Sequence, residues 1–72
     1  MKKYAIIKHR TGAKHYIYAV ATKEDIKEYY KTHFLPLVLS FSSKKGLIFI
    51  IENNENYKHL KDNTSYKTIF IY

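Results

Sequence analysis

Leu35 to Glu52, LPLVLSFSSKKGLIFIIE, is the stretch whose reading decides the fold of this chain. Two apolar runs, Leu35-Pro36-Leu37-Val38-Leu39 and Leu47-Ile48-Phe49-Ile50-Ile51, are joined across Ser42-Ser43-Lys44-Lys45-Gly46. A polar segment ending in glycine between two apolar runs reads as a β-hairpin. The second run lacks a polar residue at alternate positions. A half-exposed strand would alternate, so this one is expected to be buried on both faces, at the centre of a sheet.

Upstream, Thr22 is a suitable N-cap, with Asp25 three residues on and Glu24 at the positive helix end, so a helix is expected to follow. Ile26, Tyr29, Tyr30, His33 and Phe34 recur as one amphipathic stripe, while Lys23, Lys27 and Lys31 form a row elsewhere. Pro36 forces Leu35 out of helical geometry, which ends the helix near His33. Further upstream, Tyr4 to His9 and Lys14 to Ala21 flank Arg10-Thr11-Gly12-Ala13 and predict a first hairpin. A three-residue loop would set Ile7 against Ile17, Ala5 against Ala19 and His9 against His15. The other side would then carry Tyr4, Ile6, Lys8, Tyr16, Tyr18 and Val20. Small residues let a helix approach closely, so the Ala/Ile side is assigned to helix packing and the Tyr/Lys side to solvent or a partner.

Downstream, Asn53-Asn54-Glu55-Asn56 offers a cap for a short helix with Tyr57 and Leu60 on its apolar line, ending near Asp62-Asn63. Ser65 to Tyr72 returns to strand-type residues, with Tyr66, Thr68, Phe70 and Tyr72 on one side and Lys67, Ile69 and Ile71 on the other. The expected fold is an α+β two-layer sandwich in ββαββαβ order, one mostly antiparallel sheet with two helices, as a single domain over 1–72. About five strands make a sheet roughly 24 Å wide, and two helices roughly 10 Å across cover one face of it. The other, tyrosine-rich face is then expected to be open. An uncovered aromatic face calls for a partner: bases, another protein or a second copy in a homodimer.

With 72 residues and 46% of them apolar, the chain is long enough for one small core. It holds no cysteine, which excludes disulfides and thiolate metal sites, and nothing marks an oxidising compartment. Tyr4-Ala5-Ile6-Ile7 and the two runs of the hairpin are too short for a targeting or membrane-spanning segment, so a cytoplasmic protein without membrane association is expected. The net charge is +7. Lys2, Lys3, Lys8, Arg10 and Lys14 precede residue 22 with no acidic residue among them, a segregation that suits a polyanionic partner.

No phosphate loop, nucleophile elbow or paired carboxylates appear, and the reading is of a non-enzymatic binding protein without cofactor or metal. The favoured ligand is RNA or single-stranded DNA: Tyr4, Tyr16 and Tyr18 would stack on splayed bases while Lys8, Arg10 and Lys14 meet phosphates. The alternative is an inhibitor of the phage or mobile-element type that binds a host nucleic-acid-handling complex, such as a CRISPR effector, through the same hairpin. A third reading is a metal-free ribonuclease toxin with His9 and His15 as acid and base. No carboxylate nearby orients either imidazole, and surface histidines that charge as pH falls would look the same. His33 and His59 are read as helix-border residues.

Overall fold

A computed structural model describes residues 2–71. The elements are β1 (Tyr4–Arg10), β2 (Tyr16–Thr22), α1 (Lys23–Thr32), β3 (Leu39–Phe41), α2 (Lys44–Asn53), a single 3₁₀ turn (Glu55–Tyr57), α3 (Lys58–Lys61) and β4 (Thr64–Ile71). The four strands form one sheet in the order β3-β2-β1-β4. β1 pairs antiparallel with β2, and β2 with β3, but β4 lies parallel to β1, so the sheet is mixed. The class is α+β as expected, with helices on both faces of the sheet. Tyr72, expected at the end of the last strand, lies outside the described residues.

The largest departure from expectation is the second apolar run, which is helical. Ser43 caps α2, its hydroxyl accepting from the Gly46 N–H at 3.1 Å, so Ser42-Ser43 opens a helix where a turn is expected. Leu47 and Ile51, one helical turn apart, are fully buried, whereas Phe49 is 66% exposed. A short unbroken apolar run has no period that separates a buried strand from a buried helix. Packing resolves it here: two of its residues face the sheet and one faces water. The first run is also shorter as a strand than expected, since only its last residue enters β3 and Val38 contributes one bond, its N–H to the Val20 carbonyl at 2.8 Å.

This helix changes the layering. α1 covers one face, where Ala5, Ile7, Ala19, Ala21, Ile26 and Ile71 form a buried cluster joined by Tyr29, Leu35 and Ile69. On the other face Ile6, Val20, Leu47, Ile51 and Leu60 form a second cluster, flanked by Tyr4, Tyr18, Leu39, Ile48, Tyr57 and Tyr66. The expected two layers are therefore three, and the face expected to be open is partly covered by α2 and α3. Each fully buried aliphatic side chain contributes about 1.5–3 kcal/mol. A chain this short needs both clusters.

The local signals hold elsewhere. Thr22 Oγ1 accepts from the Asp25 N–H at 3.0 Å, and His33 ends α1 in the left-handed region (φ 58°) with its N–H on the Tyr29 carbonyl. Of the predicted stripe, Ile26 is buried and Tyr29 packs against the core, but Tyr30 (63%) and Phe34 (69%) stand exposed. Asn54 Oδ1 accepts from the Asn56 N–H at 2.9 Å and opens the turn that leads to the buried Leu60.

The helical reading of Leu47 to Ile51 has a direct test in urea unfolding. Phe49→Glu is expected to change stability by no more than about 0.5 kcal/mol, as for a surface substitution. Leu47→Ala is expected to cost about 2–5 kcal/mol. Comparable large losses in both would mean that the run is packed on two sides, as a central strand would be.

Candidate nucleic-acid interface

The hairpin of β1 and β2 has a five-residue loop, Thr11 to His15, closed by the Thr11 N–H on the His15 carbonyl at 2.9 Å. The register pairs Ala5 with Ala21, Ile7 with Ala19 and His9 with Ile17, two residues along from the expected alignment. Because the shift is even, each side chain keeps its expected face. His9 and His15 do not oppose one another, which removes the acid–base pair that a three-residue loop would make. His9 instead lines a half-open cleft of about 170 Å³ with Ile7, Tyr29, His33, Leu35 and Leu37, its Nδ1 buried without a hydrogen-bond partner. Among the described residues no three His, Cys, Asp or Glu side chains come together as a metal site.

The opposite face carries the tyrosines and divides into two parts. Toward the start of β1, α2 and α3 cover Ile6, Val20 and Leu39. Toward the hairpin tip one row of register partners crosses all four strands: Phe41 of β3, Tyr18 of β2, Lys8 of β1 and Phe70 of β4. Tyr16 and Arg10 form the next row toward the tip. Phe41 and Phe70 are 42% and 40% exposed, and Tyr16 and Tyr18 are half-buried.

Lys8 sits at the centre of these rings. Its Nζ lies 4.6 Å from the Tyr16 centroid, 5.7 Å from Tyr18 and 5.8 Å from Phe70, within the range of cation–π attraction. Tyr16 and Phe70 meet edge to face at 5.6 Å. At the tip, Arg10 braces the loop, Nε donating to the Gly12 carbonyl at 3.0 Å and Nη2 to the Ala13 carbonyl at 2.9 Å. Lys14 is exposed beside it. The first turn of α2, with Lys44 and Lys45, borders the row at Phe41, whose ring lies so close that a Cβ on Gly46 would come within 2.4 Å of it. None of the four strands carries an acidic residue.

Of the six residues singled out from sequence, the structure brings Lys8, Tyr16 and Tyr18 into contact and sets Arg10 and Lys14 at the adjoining tip. Tyr4 is separate. It lies at the far end of β1, packed against the second cluster and edge-on to His59 at 6.1 Å. Phe41 lies outside the strand expected over Leu35 to Leu39, and Phe70, on the expected face, joins the site without a local signal that marks it. Their alignment with Tyr18 and Lys8 depends on the parallel β1–β4 pairing and on β3 lying beside β2, which no local pattern encodes.

Among the described residues no helix is long and apolar enough to cross a membrane. In comparisons with known proteins, no family model, no curated protein and no solved structure matches this chain.

The covered part of the same face has a titrating group. Burial, and then the carboxylates of Glu52 and Asp62, hold the Tyr66 phenol above the usual tyrosine range. The folded chain therefore favours the neutral phenol. Its contribution is complete below about pH 10, where the unfolded tyrosine titrates, and is lost as pH rises through the folded value. Tyr66→Phe is expected to lose less stability than the parent between about pH 9 and about pH 11. Equal losses in parallel urea titrations would show that Tyr66 does not govern the alkaline limb.

Proposed function

We propose that this protein binds single-stranded nucleic acid, RNA or DNA, through the uncovered part of its sheet, and catalyses no reaction. The observation that carries this is the group of three aromatic rings, Tyr16, Tyr18 and Phe70, around Lys8, with Phe41 continuing the row beyond Tyr18, on strands without an acidic residue. Exposed rings on a sheet stack on unpaired bases whatever their identity, each contributing about 1–3 kcal/mol. Lys8, Arg10 and Lys14 then neutralise phosphates, and the net charge of +7 draws the polyanion in. A duplex hides its base faces, so stacking selects the single strand. Tyr4 serves the packing of α3 and makes no contact with the ligand.

A second reading, an inhibitor that docks on a nucleic-acid-handling protein complex, is supported by different residues. Phe34, Leu37 and Val38 lie close in sequence and are 69%, 42% and 37% exposed. Aliphatic surface of this kind serves a protein partner better than a nucleic acid.

Fluorescence anisotropy with single-stranded and duplex RNA and DNA at two salt concentrations, with mass by light scattering on the same sample, decides between them. Preference for single strands is expected, with a log–log salt slope of about −2 for three phosphate contacts. Tyr16→Ala or Tyr18→Ala should weaken binding by about 1–3 kcal/mol, and Lys31→Ala on α1 should leave it unchanged. No binding at low salt would overturn the proposal and favour the protein-directed reading. A dimer that buries the rings would also overturn the proposal.

A further inference from the structure

The row of side chains described above has a direction and an end, and both constrain the ligand. Phe41, Tyr18, Lys8 and Phe70 are consecutive register partners, so the row runs at right angles to the strands. Three strand spacings make it about 14 Å long. β3 and β4 are the outermost strands, and among the described residues no further strand lies beyond either end to lengthen the row. Along the strands the way is closed on one side, where α2, about 10 Å across, rises from the sheet beside Phe41. On the other side Tyr16 and Arg10 are the register partners that stand, among the described residues, between the row and the loop. An extended strand that crosses the sheet meets the whole row, whereas one that follows the strands is stopped by α2 on one side.

Resting on the nucleic-acid reading, we infer that the ligand is a run of about three unpaired bases laid across the strands from Phe41 to Phe70, within the two or three that aromatics on a four-stranded sheet can stack. Lys8 is the only cation in the row. In the free protein its ammonium lies over ring faces that a base needs, 5.7 Å from the centroid of Tyr18 and 5.8 Å from that of Phe70. Its flexible four-carbon stem lets it leave those faces and meet the phosphate between the central and outer bases. Lys8 is thus both the plug of the empty platform and the central phosphate contact of the filled one. No bond is made or broken.

The test is a length series of oligouridine and oligothymidine, from about two to about eight residues, each competing against a fluorescent single strand. Affinity is expected to rise steeply up to about three residues and thereafter only as the number of available registers grows. Phe41→Ala and Phe70→Ala should each weaken binding roughly tenfold, while Phe49→Ala, on the outer side of α2, should not. Lys8→Ala should reduce the steepness of the salt slope by about 0.7, the loss of one phosphate contact on a single strand. A steep rise continuing beyond about six residues, or indifference to Phe70→Ala, would overturn the transverse footprint while leaving nucleic-acid binding standing. An unchanged slope in Lys8→Ala would overturn the part assigned to Lys8. Absence of binding at every length would refute the underlying reading together with the footprint.

Discussion

Ile6 and Val20 face one another across β1 and β2, and the second half of the chain is arranged to keep water from them. The face they occupy is not covered by α1, which packs on the Ala/Ile side. Leu47 and Ile51 of α2 and Leu60 of α3 close over them, all at 1% exposure or less. That closure explains why an apolar run rich in β-branched residues becomes a helix. As a strand it would extend the sheet and leave Ile6 and Val20 wet; as a helix it covers them and restores the chain to the end of the sheet from which β4 can start parallel to β1. The bond from the Tyr4 N–H to the Asn63 carbonyl, 2.8 Å, marks that return.

The same closure leaves the candidate interface where it is. α2 and α3 cover the half of the face that carries Ile6, Val20 and Leu39, and stop short of the half that carries Lys8, Tyr16 and Phe70. Aromatic side chains suit this border, because a ring can rest its edge on the core and present a face to solvent. Tyr18 does both: it packs against the second cluster and lies 5.7 Å from the Lys8 ammonium. A lysine stem lies comfortably over such a surface while its charge remains near water. The patch therefore costs the fold little, and its rings are held by the sheet itself.

Several elements were legible in local sequence. Thr22 as a cap, Pro36 as a limit on α1, a cap within Asn53 to Asn56, which Asn54 supplies to the 3₁₀ turn, and the alternation of Ala5, Ile7 and Ala19 against Tyr4, Ile6 and Lys8 all describe short-range physics, and each stands in the structure. The loop of the first hairpin is two residues longer than its sequence predicts. Its consequence fell only on pairing, since side chains repeat every two residues and kept their faces. The helical α2 was not legible for the opposite reason. Five consecutive apolar residues have no period, and the cue in Ser43, three residues before Gly46, competes with an equally good turn reading.

Composition and spacing by themselves determined the α+β class, the basic first segment, the helix caps and the partition of the first hairpin into an aliphatic and an aromatic side. These depend on neighbours in sequence. Tertiary structure alone decided that the sheet is covered on both faces, that Tyr4 is set apart from Tyr16 and Tyr18, and that Phe41 and Phe70 join Lys8 in one row. Those facts follow from which strands lie side by side and which helix closes over Ile6 and Val20. Such choices are made by burying distant parts of the chain against each other, and no short stretch of residues carries them.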